Sequence, residues 1–194
     1  MAKARGAASQ RYGGAMDHLD PPLFVEMLPN GFAPGADERM ARDELFMRMA
    51  LDQAREAAKA GEVPIGAVVV FQDEVIAQAR NHREADGDPS AHAEFSAVVQ
   101  ASRELERWRL PDCTVYVTLE PCIMCAGLMH QARIGRCVYG AADAKAGALG
   151  SLYRIHDDAR LNHRFAVRAG VLEQECTAVL RSFFEQRRLD DRSE

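Results

Sequence analysis

The period of the hydrophobic positions changes several times along the chain, and each change marks an expected element. From Asp37 onward, Phe46, Met49, Ala50, Ala54, Ala57 and Ala58 recur near the 3.6-residue helical period, and Gly61 is a natural stop. Val63–Phe71 is rich in β-branched residues and suits a central strand. The short polar turn Gln72-Asp73-Glu74 then leads to Val75–Ala79, the second arm of a hairpin. Asn81–Pro89 is polar and reads as a loop, and a helix is expected from Ala91 to about Arg103, with Asp88 or Ser90 near its cap. Cys113–Leu119 reads as a strand and Pro121 to about Ile134 as a helix. Proline suits a first helical position, where the N–H it lacks has no intrahelical partner. Arg136–Tyr139 is a further strand, and Gly140–Gly150 a loop rich in glycine and alanine. Phe165–Ala169 is a fifth strand and Leu172 to about Arg188 a closing helix.

This order predicts a three-layer α/β domain, a five-stranded mixed sheet flanked by helices. Strands joined through helices should run parallel, with right-handed crossovers. Residues 1–36 stand apart. They hold 5 of the 14 glycines and 4 of the 8 prolines, and are expected to form a flexible N-terminal extension to a domain spanning 37–194. Their early Lys3, Arg5 and Arg11 lack the apolar face of a transit peptide.

Composition narrows the class. With 194 residues, 47% apolar and 27% charged, the chain has the make-up of a soluble globular protein with one proper core. No apolar run approaches the roughly 18 residues of a membrane span, so no membrane partner is expected. Five cysteines without a disulfide-scaffold pattern suit a reducing, cytoplasmic setting. Cys113, Cys137 and Cys176 lie in apolar surroundings and read as core residues. A net charge of −5 gives no general attraction to nucleic acid, so any such binding needs a local basic patch, and DNA is not expected as a partner.

The chemistry lies in two short stretches. Cys122 and Cys125 stand three apart in Glu120-Pro-Cys-Ile-Met-Cys125, and on a helix that spacing puts both sulfurs on one face. Taken alone, the pair is half of a zinc site, a redox couple or two core cysteines. Upstream, His92 and Glu94 sit two apart in Asp88-Pro-Ser-Ala-His-Ala-Glu94. One imidazole and two thiolates are three zinc ligands, leaving the fourth position for water as in a catalytic site. Glu94 can reach that water without binding the metal. His-x-Glu followed by Pro-Cys-x-x-Cys is the signature of zinc nucleobase deaminases.

These residues resemble the cytidine deaminase-like superfamily and, within it, the bacterial tRNA-specific adenosine deaminase family. The resemblance covers roughly Glu44 to Arg188. It rests on Glu62-Val-Pro-Ile-Gly-Ala-Val, Asn81, Asp88–Glu94, Thr118–Gly127, Leu161-Asn-His163 and Phe183-Phe184, and most specifically on Arg133–Ser151 with its Asp143-Ala-Lys-Ala-Gly-Ala-Leu-Gly-Ser. It implies a cytidine deaminase-like fold and one Zn2+ per subunit. The reaction implied is hydrolytic deamination of the wobble adenosine in a tRNA anticodon loop to inosine, with Glu94 as the proton-transfer group. Asn81 and the backbone at Ala93 would hold the target nucleotide. Asp143, Lys145, Asn162 and Phe183 would touch flanking nucleotides, and Arg154, His163, Arg187 and Arg188 phosphates. A homodimer is implied, with the cysteine helix and the loop after it at the interface. Three positions depart from the family pattern: Ala146 where threonine is usual, Ala142 where arginine is frequent, and Glu185 where a basic residue is common.

Two other readings compete. One is a free-base or nucleoside deaminase of the guanine or cytosine type, against which the Asp143–Ser151 stretch speaks by resemblance. The other is a non-catalytic zinc-stabilised RNA-binding subunit, against which the intact Glu94 speaks. Blander roles compete residue by residue: Asp143 and Lys145 as a solvated pair, Arg187-Arg188 as a helix-end feature, one of Phe183 and Phe184 as core, and His18, His82, His130 and His156 as structural or solvated.

Overall fold

The computed structural model describes residues 35–190 and residue 192. The expected extension, apart from its last two residues, lies outside the described residues, as does His18. Helix α1 (Ala36–Lys59) opens the described chain, with Glu38 reaching back to accept the Gly35 N–H. It stops where expected, with Gly61 at φ +80°. Strands β1 (Gly66–Phe71) and β2 (Glu74–Arg80) form the hairpin, and Gln72 and Asp73 both take positive φ at its turn. That matches the twist of a tight hairpin connection. A single turn, α2 (Arg83–Asp86), precedes α3 (Ala93–Glu104). Then come β3 (Cys113–Leu119), α4 (Ile123–Gln131), β4 (Arg136–Ala141), a 3-10 turn at Ile155–Asp157, β5 (Ala166–Arg168) and α5 (Glu173–Asp190).

The five strands form one mixed sheet in the order β2-β1-β3-β4-β5. The pairs β1–β2 and β1–β3 are antiparallel, and β3–β4 and β4–β5 are parallel. Strand residues alternate between two cores. Val69, Val115, Val117 and Cys137 pack with α3 and α4 on one face; Val68, Val70, Tyr116 and Val138 pack with α1 and α5 on the other. Both faces are covered, and so β1 and β3 read as nearly continuous apolar runs. Helix α1 lies so close to β1 that a Cβ at Gly66 would overlap the backbone at Ala50 and Ala54.

The five strands, the three layers and the core cysteines Cys113, Cys137 and Cys176 stand as the sequence predicts. Several boundaries differ: α3 starts at Ala93 rather than Ala91, α4 ends at Gln131 rather than Ile134, and β4 runs on to Ala141, into the expected glycine- and alanine-rich loop. Strand β1 starts at Gly66 rather than Val63, the polar loop after β2 contains α2, and the cysteine helix starts at Ile123 rather than Pro121. The last has a tertiary cause. Cys122 is extended and bridges Gly147, while the Pro121 carbonyl accepts the Ala148 N–H at 2.8 Å, which keeps this dipeptide out of the helix.

One buried acid ties the α1 layer to the sheet. Asp43, only 1% exposed, accepts from Tyr116 Oη at 2.9 Å, from Arg136 Nη1 and Nη2 at 2.9 and 2.6 Å, and from Arg168 Nη1 at 2.7 Å. It thus joins α1 to β3, β4 and β5. Burial and the neighbouring Asp43 charge push the Tyr116 phenol up, so the hydroxyl remains a donor. Removing one partner of such a group leaves the others uncompensated. The expected loss for Asp43→Ala is about 3 kcal/mol, the low end of the range for broken buried pairs, because both arginines keep some contact with water. Urea unfolding checks it, with loss within 0.5 kcal/mol of zero contradicting the role.

Candidate active site

Two helix N-termini meet beyond the end of β3. His92 is the extended residue that precedes α3, and Glu94 lies in its first turn. Cys122 holds the same position before α4, with Cys125 one turn further in. Residues thirty apart in sequence therefore converge, because α3 and α4 pack side by side on one face of the sheet. His92 Nδ1 is 3.7 Å from Cys122 Sγ and 3.6 Å from Cys125 Sγ, and with a Glu94 oxygen the four ligand atoms lie within 4.8 Å of one another. Nitrogen and sulfur ligands at ordinary zinc distances stand roughly 3.5–3.6 Å apart across a tetrahedron, so both imidazole–sulfur spacings suit a zinc ion.

The electrostatics suit the same purpose. The hydrogen bond from Cys125, supported by His92, draws the Cys122 thiol down to about 4 despite its partial burial. Cys125 is pushed the other way, because it keeps the shared proton and is buried next to Glu94. Cys122 is therefore the sulfur of the pair that favours the thiolate, the form that binds zinc. His92 is raised by its hydrogen bond to Cys122. Glu94 is 4% exposed, and burial raises its carboxyl. Its Oε2 is buried and has no hydrogen-bond partner. An orphaned carboxylate oxygen costs stability in a core, and it is the atom a proton-transfer role requires.

Asn81 is brought to this cluster. It is 5% exposed, and the His82 N–H next to it donates to the Ala91 carbonyl at 3.1 Å, beside His92. Its orientation comes from Glu62, a buried acid to which the sequence reading assigned no role. Glu62 accepts from Asn81 Nδ2 at 3.0 Å and from the Ala85 N–H at 2.7 Å. One amide proton is thereby committed, and the Asn81 carbonyl oxygen is left as an acceptor. Ala93 is fully buried at the start of α3, where backbone N–H groups have no intrahelical partner.

The loop after β4 also reaches the cluster, through the Cys122–Gly147 bridge and the Ala148–Pro121 hydrogen bond. Asp143 is not one half of a solvated pair: its Oδ1 accepts the Lys145 and Ala146 N–H groups at 2.9 and 3.2 Å and so shapes the turn. Lys145 is exposed at the tip. Beneath the loop lies Glu120, a second acid without a role in the sequence reading. The signal available for both acids was position: Glu62 directly precedes the Val63–Phe71 run, and Glu120 stands between the Cys113–Leu119 run and Pro121.

Other candidates are not assembled with the cluster within one chain. Asn162 is exposed and bound by Arg133 Nη1 at 2.7 Å, just past the C-terminal end of α4. The nine residues of α4 separate that end from Cys122, a rise of about 13.5 Å. His163 Nε2 donates to the Ile134 carbonyl at 2.9 Å, which commits that nitrogen inside the chain. Phe183 is half-buried on α5, edge-on to the exposed Phe184, and α5 packs on the opposite face of the sheet. Arg154, Arg187 and Arg188 are exposed, the second lying over the Phe183 ring. His130 is buried and His82 and His156 half-buried; none joins the metal-ligand group.

Comparison with known proteins agrees with this geometry. The MafB19-like deaminase family matches residues 41–188. The tRNA-specific adenosine deaminase of Bacillus subtilis is 46% identical over 149 residues, covering 77% of this chain and 92% of that protein. The tRNA-specific adenosine deaminase of Haemophilus influenzae is 42% identical over 160 residues, covering 82% and 92%. A solved chain from a study of A-to-I editing by tRNA:A34 deaminases superposes with a TM-score of 0.68 at 43% identity, covering 70% of this chain and 99% of that one. A guanine deaminase from Nitrosomonas europaea, 21% identical with a TM-score of 0.62 over 86% of this chain and 98% of that one, shares the fold. The MafB19-like match, the extent of these identities and the convergence of His92, Glu94, Cys122 and Cys125 together make this chain a member of the tRNA-specific adenosine deaminase family.

Proposed function

We propose that the protein is a zinc-dependent tRNA adenosine deaminase that converts the wobble adenosine of a tRNA anticodon to inosine. The observation that carries this reading is the buried, unpartnered Glu94 Oε2 beside a ready-made group of one imidazole and two sulfurs. His92, Cys122 and Cys125 would hold one zinc ion per chain. The bound ion supplies Lewis acidity that makes water a nucleophile near neutral pH. Glu94 Oε2 accepts a proton from the attacking water and delivers it to N1 of the purine. The same carboxyl then takes the proton of the new C6 hydroxyl and gives it to the departing amine as the C6–N bond breaks, so water and adenosine give inosine and ammonia. Asn81 Oδ1 and the Ala93 N–H hold the nucleotide in place. An anticodon loop suits the site because its bases leave their stack at low cost.

The negative chain meets a polyanion only locally, at Lys145 and the exposed arginines. Asn162, beside the α4 end that borders the groove described next, reaches the flanking nucleotides of a site on a second chain. An open groove of about 640 Å³, bordered by the exposed Ile123, Tyr153 and Leu161, flanks the outer side of α4 and supports a homodimer that buries it. Residues 37–194 form the deaminase unit, with 1–36 as an extension. Among the described residues no helix is long and apolar enough to cross a membrane. The cytoplasm is the setting that a tRNA substrate implies.

Metal analysis should find one zinc per chain, lost in His92→Ala and Cys122→Ser. Full occupancy in either variant removes that residue from the ligand set. Glu94→Gln should retain zinc and tRNA binding yet fall by at least the 10²–10⁴-fold typical of a lost proton-transfer group, because glutamine keeps size and hydrogen bonding but cannot shuttle a proton. Inosine in the anticodon of an arginine tRNA is the readout. Turnover of guanine, cytosine or a nucleoside with none on tRNA moves the assignment to the small-molecule deaminases. Light scattering should give twice the chain mass, and Leu161→Asp should shift it toward a monomer.

A further inference from the structure

Glu120 is 2% exposed, and every hydrogen bond it accepts comes from one short loop. Its Oε1 takes the Leu149 and Ser151 N–H groups, each at 3.0 Å. Its Oε2 takes the Asp143 N–H at 3.0 Å and the Ser151 hydroxyl. The donors lie on both sides of the loop, so a single carboxylate draws residues 143–151 into a closed turn. Gly147 lies against this carboxylate, where any added Cβ would overlap it.

The same loop is fastened to the metal-ligand segment at Pro121 and Cys122. Its exposed positions, with Ala142 just before it, are Ala144, Lys145, Ala146, Gly150 and Ser151, small residues and one cation. Such a surface lets a phosphate–sugar backbone come close and offers it one positive charge. A surface of that kind is useful only if it is rigid, since ordering a mobile loop on binding would consume affinity.

We propose that Glu120 is a positioning residue for the RNA: it holds the Asp143–Ser151 loop in the shape that receives the backbone beside the reacting nucleotide, without taking part in the chemistry. The inference rests on the tRNA reading above. Its physical basis is the donor count. Four donors face two oxygens, and a glutamine in either orientation would turn its NH2 group toward two of those donors.

The test is steady-state kinetics on an anticodon stem-loop RNA, with zinc measured on the same preparations. Glu120→Gln should raise KM by about tenfold or more with kcat nearly unchanged, the pattern of lost binding shared by ground and transition states. Zinc should stay at one per chain. Gly147→Ala, which leaves the carboxylate in place but pushes the loop from it, should give the same split and carries the test if Glu120→Gln does not fold. An unchanged KM in the folded variants overturns the inference. So does joint loss of zinc and kcat, which would make Glu120 a support for the ligands instead. If the unmodified protein deaminates only small molecules, the tRNA reading fails and this inference falls with it. Normal RNA turnover with insensitive variants removes this inference alone.

Discussion

A carboxylate taken out of water must find donors, and the described part of this fold buries four: Asp43, Glu62, Glu94 and Glu120. Three are satisfied, each in a way that sets its task. Asp43 is met by two guanidiniums and a phenol and locks α1 to the sheet. Glu62 is met by an amide and an N–H and orients Asn81. Glu120 is met by a ring of loop donors and shapes the surface next to the metal ligands. Glu94 keeps one oxygen without a partner, and it is the acid beside the metal-ligand group. Among these four acids, the unmet demand for a donor falls on one atom, Glu94 Oε2.

The sheet makes this concentration possible. Parallel β3 and β4 send their C-terminal ends to the same edge, and α3 and α4 both begin there. Helix N-termini present unpaired N–H groups and favour thiolate and carboxylate alike. The ligands are not scattered residues drawn together by a metal. His92 and Cys122 occupy equivalent positions at the starts of two adjacent helices, and Cys125 and Glu94 lie in the first turns.

The substrate side follows a different economy. With a net charge of −5 the molecule as a whole repels a polyanion, so recognition depends on a few presented groups. The small side chains at positions 142 and 146 lower the number of direct contacts the loop can make and allow closer approach of a backbone. Asn162 and Phe183 do not join the His92–Glu94–Cys122–Cys125 cluster within one chain, and the exposed Ile123, Tyr153 and Leu161 border an open groove along α4.

The sequence by itself determined the element order, the strand and helix types and the grouping of His92, Glu94, Cys122 and Cys125. These rest on short-range patterns: hydrophobic period, β-branched runs, and His-x-Glu and Cys-x-x-Cys spacings that place atoms on one helical face. Sheet order, the extended Cys122 and the one-turn α2 were decided only by tertiary structure. Gly147 and Ala148 pair with residues 121–122 from across the fold, and no local rule describes such a contact. The same holds for Asp43, Glu62 and Glu120. A lone acid in a sequence reads as solvated surface until the fold shows which donors surround it. The donors here come from 19 to 125 residues away, and their identity is what separates a structural brace from a positioning residue.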